Sequence, residues 1–312
     1  MSLTKFCQGI SDLSDSYAAF ILDQYGVLHN GDKVFDGVLD CLAELKARKK
    51  TVILLSNSSK RAAENKARLK QIGIPDDLYD HLITSSEMVW QGLRDNTGLF
   101  KGLGKKCYLI SHGGDRSVVD GLDVQVVDDP KDADFLLLAG CDAPEKTLDD
   151  YDAVLKAAAQ KRLKAICSNP EMRGLIHGVP VMGTGMLARR YQDFGGVVTY
   201  IGKPYEPIFT ECTKYLRAKD IFPGQVIVIG DAMDQDILGG VTAEMDTCLV
   251  AATGLHAGNF KGLATLQELE KSLNNLVIAH HNIRPSFIVP KFVWGKALPD
   301  RKHKRRTPPR VA

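Results

Sequence analysis

An aspartate that closes an apolar run is a candidate nucleophile, and the chain presents one in Ile21-Leu-Asp-Gln-Tyr-Gly-Val-Leu28. Asp23 would sit where a buried strand ends, the edge at which open α/β sheets bind ligands, and Gly26 permits a sharp turn beyond it. Alone, such an aspartate caps a turn as readily as it does chemistry. Three other segments have the same form. Val52-Ile-Leu-Leu-Ser-Asn57 ends in a hydroxyl and an amide, so Ser56 and Asn57 are either helix caps or donors to an anion at a helix N-terminus. Tyr200-Ile-Gly-Lys-Pro204 ends in Lys203, a point charge suited to a phosphoryl oxygen. Val226-Ile-Val-Ile-Gly-Asp-Ala-Met-Asp-Gln-Asp236 is the most informative, because Asp231, Asp234 and Asp236 crowd the end of one apolar run. Carboxylates that close repel one another, and a bound divalent cation is the usual remedy. A carboxylate nucleophile, hydroxyl and amide donors, an ammonium and a carboxylate-held Mg²⁺ are together the components needed to transfer a phosphoryl group.

Those components need elements to position them. Short apolar runs alternate with amphipathic stretches, which predicts a parallel sheet of βαβ units. Strands are expected at 17–22, 51–55, 106–110, 135–138, 163–167, 197–201 and 226–229, with helices at 39–49 and 61–72. The chemistry-bearing loops flank a central stretch with its own βαβ rhythm. The expected organisation is therefore a core interrupted by an insertion. Residues 1–84 form the first core segment, 85–195 an inserted α/β cap, 196–282 the second core segment, and 283–312 a basic C-terminal tail with a disordered end.

The order of these motifs resembles the haloacid dehalogenase (HAD) superfamily, subclass IIA, which includes the NagD-type nucleotide phosphatases and the phosphoglycolate and 4-nitrophenyl phosphatases. Asp23-Gln-Tyr-Gly-Val-Leu resembles its first motif, Leu55-Ser-Asn57 the second, Gly202-Lys-Pro204 the third, and Gly230-Asp231 with Asp236 the fourth. Ser168-Asn-Pro-Glu171, Gly183-Thr-Gly185 and Phe194-Gly-Gly196 resemble the cap of that subclass, and the similarity runs from about Tyr17 to Trp294. The resemblance implies a doubly wound, Rossmann-like α/β core with an inserted cap, and a Mg²⁺-dependent phosphatase acting on a small phosphorylated metabolite. By the same resemblance Asp23 attacks phosphorus, and Asp231 and the Tyr25 carbonyl ligate Mg²⁺ together with Asp23. Asp236, with Asp234, orders the ion's water shell. Ser56, Asn57 and Lys203 hold the phosphoryl group, and Asn169, Glu171 and Thr184 face the substrate from the cap.

One position departs from the pattern. Most HAD phosphatases place a second aspartate two residues after the nucleophile, where this chain has Tyr25. A phenol with an ordinary pKa near ~10 is a poor base at neutral pH, which implies slow turnover or a phosphometabolite-binding protein that has lost efficient chemistry. Asp-x-Tyr-Gly also resembles the metal-free dehalogenases, but an alkyl halide gives no reason for the acidic cluster. His29 reads as a loop histidine rather than the missing acid.

Composition narrows the rest. The chain is 44% hydrophobic and 25% charged, as expected of a globular protein. Seven scattered cysteines without a C-x-x-C pair indicate neither a zinc site nor a disulfide framework, so a reducing, cytoplasmic setting is expected. The tail from Ile283 carries +8 of a formal net +2, leaving −6 for the body, which therefore needs no polyanionic partner. Membrane and nucleic-acid partners are not expected, although Arg301–Arg306 leaves a nuclear address open. Gly183-Thr-Gly-Met-Leu-Ala188 fits a dinucleotide fingerprint, yet Lys203 stands where a ribose-binding acid would be needed.

Overall fold

Short apolar strands, each followed by a crossover, build the central sheet. In the computed structural model, which describes residues 3–176 and 179–295, the chain begins with β1 (Lys5–Phe6), β2 (Ala19–Leu22), α1 (Val38–Ala47) and β3 (Thr51–Ser56). It continues through α2 (Ala62–Gln71), β4 (His81–Thr84) and α3 (Ser85–Asp95) into β5 (Lys106–Ile110), β6 (Gln125–Val126) and β7 (Phe135–Leu138). Next come α4 (Asp152–Gln160), β8 (Lys164–Cys167), β9 (Arg173–Ile176), β10 (Val179–Met182), α5 (Thr184–Asp193) and β11 (Val197–Tyr200). The chain then runs through α6 (Glu206–Arg217), β12 (Val226–Gly230), α7 (Leu238–Thr242) and β13 (Asp246–Val250) to α8 (Ala257–Phe260), α9 (Leu266–Ala279) and β14 (Phe287–Val289).

Among the described residues, seven strands form one sheet in the order β1-β14-β13-β12-β2-β3-β4, parallel throughout. Phe20 and Leu22 point to one face, where Cys41, Leu42 and Leu45 of α1 cover them. Ala19 and Ile21 point to the other, under Ile208, Phe209, Cys212 and Leu216 of α6. Both faces are thus buried, which is why these strands read as unbroken apolar runs rather than as alternating ones. Each fully covered leucine, such as Leu42 or Leu45, contributes about 1.5–3 kcal/mol.

A second sheet, β11-β8-β7-β5-β6, is also parallel and has its own two-sided core. It is consistent with an inserted cap, and β9 and β10, between β8 and α5 in the chain, form a separate antiparallel pair. The fold is therefore the expected α/β architecture of a parallel core and a second parallel layer.

Two expected boundaries need correction. Val197–Tyr200 falls in the second core segment by the sequence pattern, but it pairs with Lys164–Cys167 in the cap sheet, so the insertion runs past 195 to Tyr200. The tail is expected from 283, but Phe287–Val289 pairs with both β1 and β13, and Phe292 and Trp294 are buried in the core. The cluster Arg301–Arg306 lies outside the described residues. All seven cysteines are free, and no helix among the described residues is long and apolar enough to cross a membrane.

Candidate active site

The site forms where β2 and β12 end side by side. The Asp23 N–H donates to the Ile229 carbonyl at 2.9 Å, prolonging the ladder by one residue and setting Asp23 next to Gly230-Asp231. After β12 the backbone makes a single π-helical turn, Met233–Ile237, in which the Asp236 and Ile237 N–H groups both donate to Ala232. This wide turn directs Asp236 back under the strand end and leaves it 1% exposed. Asp234, expected beside it, is exposed and outside the cluster, because the same turn points position 234 to solvent.

Lys203 joins the two halves of the core. It follows the last cap strand rather than ending a core strand, and its ammonium donates to Asp23 Oδ1 and to Asp236 Oδ1, each at 2.6 Å. Asn57 fixes the backbone beneath it: Asn57 Oδ1 accepts the Lys203 N–H at 2.6 Å, and Asn57 Nδ2 donates to the Lys203 carbonyl at 3.1 Å. The Asn57 amide is thus committed to positioning Lys203. Burial alone would depress the Lys203 ammonium, but Asp23 and Asp236 overcome it and hold its pKa well above the ordinary value. Lys203 is therefore a cation across the whole working range of pH.

One carboxylate oxygen from each of Asp23, Asp231 and Asp236 lies within 4.8 Å of the others. Burial raises the pKa of Asp231 well above the usual range, and the charges of Asp23 and Asp236 add to the rise. Asp236 is pushed up to about 6, first by burial, with Lys203 opposing. Three carboxylates against one ammonium leave an excess of negative charge in a dry site. Asp231 Oδ2 accepts the Leu255 N–H at 2.7 Å, while Asp231 Oδ1 and Asp23 Oδ2 have no protein donor among the described residues. A hard divalent cation that takes oxygen ligands fits this donor set, and Mg²⁺ is the natural choice. Gly26 and Gly254, both at positive φ, press against Asp231: a Cβ on either would lie 2.2 or 1.8 Å from its Oδ2. Any side chain there would displace the carboxylate.

A cavity of about 450 Å³ opens above the cluster, bounded by loops of both sheets. Asp23, Tyr25, Ser56 and Asn57 line it from the core, and Asn169, Glu171 and Thr184 from the cap. These expected site residues therefore reach one space, although with different freedom. Asn169 Oδ1 accepts the Glu171 N–H at 3.0 Å, and the buried Thr184 hydroxyl faces the Cys141 thiol, so both have structural partners. Burial, reinforced by Asp23, Asp236 and Asp234 and opposed by Lys203, pushes Glu171 up to about 7. Burial likewise raises the Tyr25 phenol, with Asp231 adding to the effect. His29 is 6% exposed and pushed down to about 4 by burial, with its Nδ1 accepting the Gly31 N–H at 3.0 Å. It is neutral near pH 7 and serves the loop's own geometry, as expected of a loop histidine.

Sequence reasoning missed the Gly254-Leu255 turn that holds Asp231, and Gln235, whose Oε1 accepts from Asn57 at 3.4 Å. It also missed Arg68, which borders the cavity from α2. Only the glycine after the β13 run left a readable trace.

Residues 20–125 match the haloacid dehalogenase-like hydrolase family, and residues 200–272 match the HAD-hydrolase-like family. An acid sugar phosphatase of Staphylococcus saprophyticus is 24% identical over 263 residues, covering 82% of this chain and 91% of that protein. A haloacid dehalogenase-like hydrolase from Brucella suis superposes with a TM-score of 0.75 at 24% identity, over 93% of this chain and 100% of that one. NagD from E. coli superposes with a TM-score of 0.59 at 20% identity, over 89% and 97% of the two chains. With both core halves matched, together more than half of its length, the chain belongs to the haloacid dehalogenase superfamily.

Proposed function

We propose that the protein is a Mg²⁺-dependent phosphatase of a small phosphorylated metabolite, working through an aspartyl-phosphate on Asp23. The observation that carries this reading is the buried Lys203 bridge between Asp23 and Asp236, set beside Asp231 at the end of the central sheet. The bridge fixes the Asp23 carboxylate at the strand end, where it can attack phosphorus. As that bond forms, the ester P–O bond breaks and the leaving oxygen takes the electron pair and then a proton. Water then attacks the phosphorus of the aspartyl-phosphate, releasing inorganic phosphate and restoring the Asp23 carboxylate. Asp23 and Asp231, with the Tyr25 carbonyl, would hold Mg²⁺, and Asp236 would orient its waters through the lysine bridge. The ion supplies charge neutralisation at the phosphoryl oxygens. Ser56 is left to donate to those oxygens, with Asn57 placing Lys203 and Asn169 and Thr184 shaping the cap wall.

Tyr25 supports a second reading, a phosphometabolite-binding protein with little turnover. Its phenol stays protonated at neutral pH and is a weak acid as well as a weak base. Hydrolysis of 4-nitrophenyl phosphate separates the two, because a good leaving group needs little acid. Mg²⁺-dependent release of nitrophenol that Asp23→Asn abolishes supports the enzyme. A variant that keeps most of the wild-type rate would falsify the assigned nucleophile.

A further inference from the structure

We propose that the cavity takes phosphate monoesters carrying a second anionic group, bound by Arg68 of the core and Arg173 of the cap while the ester phosphate lies against Asp23. This rests on the phosphatase reading and specifies its substrate class. The cavity, about 450 Å³, has room for an organic tail beside the ester phosphate. Both arginines line that space. Some arginines elsewhere are paired, as Arg61 is in a bidentate pair with Glu87 and Arg190 with Asp149, while, among the described residues, Arg116, Arg162 and Arg217, which do not line the cavity, are not. Arg68 and Arg173 have no acidic partner among the described residues. Arg68 donates once, from Nη2 to the Gly31 carbonyl at 3.2 Å, which orients the guanidinium and leaves most of its five donors free. Asp32, whose charge is felt at Tyr25, is not within ion-pair range of Arg68.

An isolated arginine on a helix face is ordinarily just solvated. Here two of them, from opposite domains, border the same cleft. The position a Gly31 Cβ would occupy lies 3.4 Å from the Tyr25 ring and 3.6 Å from Arg68 Nη2, so the phenol and the guanidinium flank the same point beside the nucleophile loop. Glu171 is the cap's acid at the cavity. Its electrostatic neighbours are Lys203, Asp23, Asp236 and Asp234, which places its influence at the metal end. The cavity thus combines the Asp23 and Asp231 carboxylates with two guanidinium groups that have no acidic partner among the described residues. A planar fork of N–H donors suits a carboxylate or a second phosphate, and both share the chemistry proposed.

The test measures kcat/KM with Mg²⁺ for 3-phosphoglycerate, fructose 1,6-bisphosphate, glycerol 3-phosphate and 4-nitrophenyl phosphate. Wild-type protein should prefer one of the two bis-anions over glycerol 3-phosphate by about tenfold or more, with the preference shrinking as salt rises. The better arm names the second group as carboxylate or phosphate. Arg68→Gln and Arg173→Gln should each erase most of that ratio, chiefly through KM. A wild-type ratio near one, or a ratio that neither variant moves, overturns the proposal while leaving the phosphatase reading intact. If no ester is hydrolysed, the phosphatase reading falls instead. Calorimetric binding of the same bis-anions, with and without Arg68→Gln, then decides the subsite on its own.

Discussion

On the proposed mechanism, Tyr25 would set the limit on how fast a phosphorylated Asp23 is cleared. Attack needs only a well-held carboxylate, which the Lys203 bridge at 2.6 Å provides. Departure of an alkoxide and the later attack of water both gain from a proton-transfer group, worth about 10²–10⁴-fold where it is well placed. The Tyr25 phenol, raised by burial and by Asp231, is too weak an acid and base for either step. The wild-type protein should therefore show a burst of nitrophenol close to one equivalent, followed by a slow steady rate. Tyr25→Asp should raise turnover of alkyl phosphates by up to about 10²-fold and aryl phosphates by much less. Equal changes on both classes, or a variant slower on everything, would show that Tyr25 packs the site or touches the substrate instead.

At the scale of elements, two buried histidines brace the loops that carry the acids. His29 sits in the loop after β2, and His256, just before α8, accepts the Met233 N–H through Nε2 at 3.4 Å at the start of the π turn. Burial pushes both down to about 4 from an ordinary value near 6.5, with His280 adding to the effect at His256. Between pH 6.5 and 4 the unfolded chain thus binds more protons at these sites than the folded one. Their contribution to stability falls as the pH drops through that window and levels off below about 4. Asp236, raised to about 6 without metal, works in the opposite direction over some of the window, so the measurement belongs in saturating Mg²⁺. Under those conditions His256→Gln should flatten the fall in urea-unfolding free energy, by at most about 1.4 kcal/mol per pH unit. An unchanged slope would mean the histidine titrates alike in both states. The elements themselves were unevenly legible. Runs such as Ile21-Leu22 or Val226-Ile229 could be read because strands buried on both faces have no polar positions. Val197–Tyr200 carries the same kind of local signal in either sheet, and its partner is set by the crossover, which no local pattern records. β14, three residues long beside a basic stretch, is too short a run to separate from a tail. Lys203 was legible from the glycine and proline around it, whereas Arg68 looks like any residue on a solvated helix face.

At the scale of the whole molecule, the acidic cluster ties together segments of the chain that the cap separates. Asp23 comes from the first core segment, and Lys203, Asp231 and Asp236 follow the insertion, the lysine that binds Asp23 standing 180 positions after it. Without a cation the three carboxylates, within 4.8 Å, oppose this junction; a bound cation would let them hold it closed. A ligand that binds only the folded state stabilises by RT ln(1 + [L]/Kd), about 2.7 kcal/mol at a hundred times Kd, so Mg²⁺ should raise Tm by several degrees. Asp231→Asn separates the two effects. It removes a like charge while keeping an oxygen to accept the Leu255 N–H, so in EDTA its Tm should equal or exceed that of the wild type. It also removes a ligand charge, so the Mg²⁺-dependent rise should largely vanish. Lys203→Met should do the reverse in EDTA, costing about 3–5 kcal/mol because it leaves buried carboxylates uncompensated. Thermal unfolding in EDTA and across a MgCl₂ series checks all three. If Asp231→Asn is destabilised in EDTA and still gains fully from Mg²⁺, the repulsion is not the controlling term, and the ion binds away from Asp231.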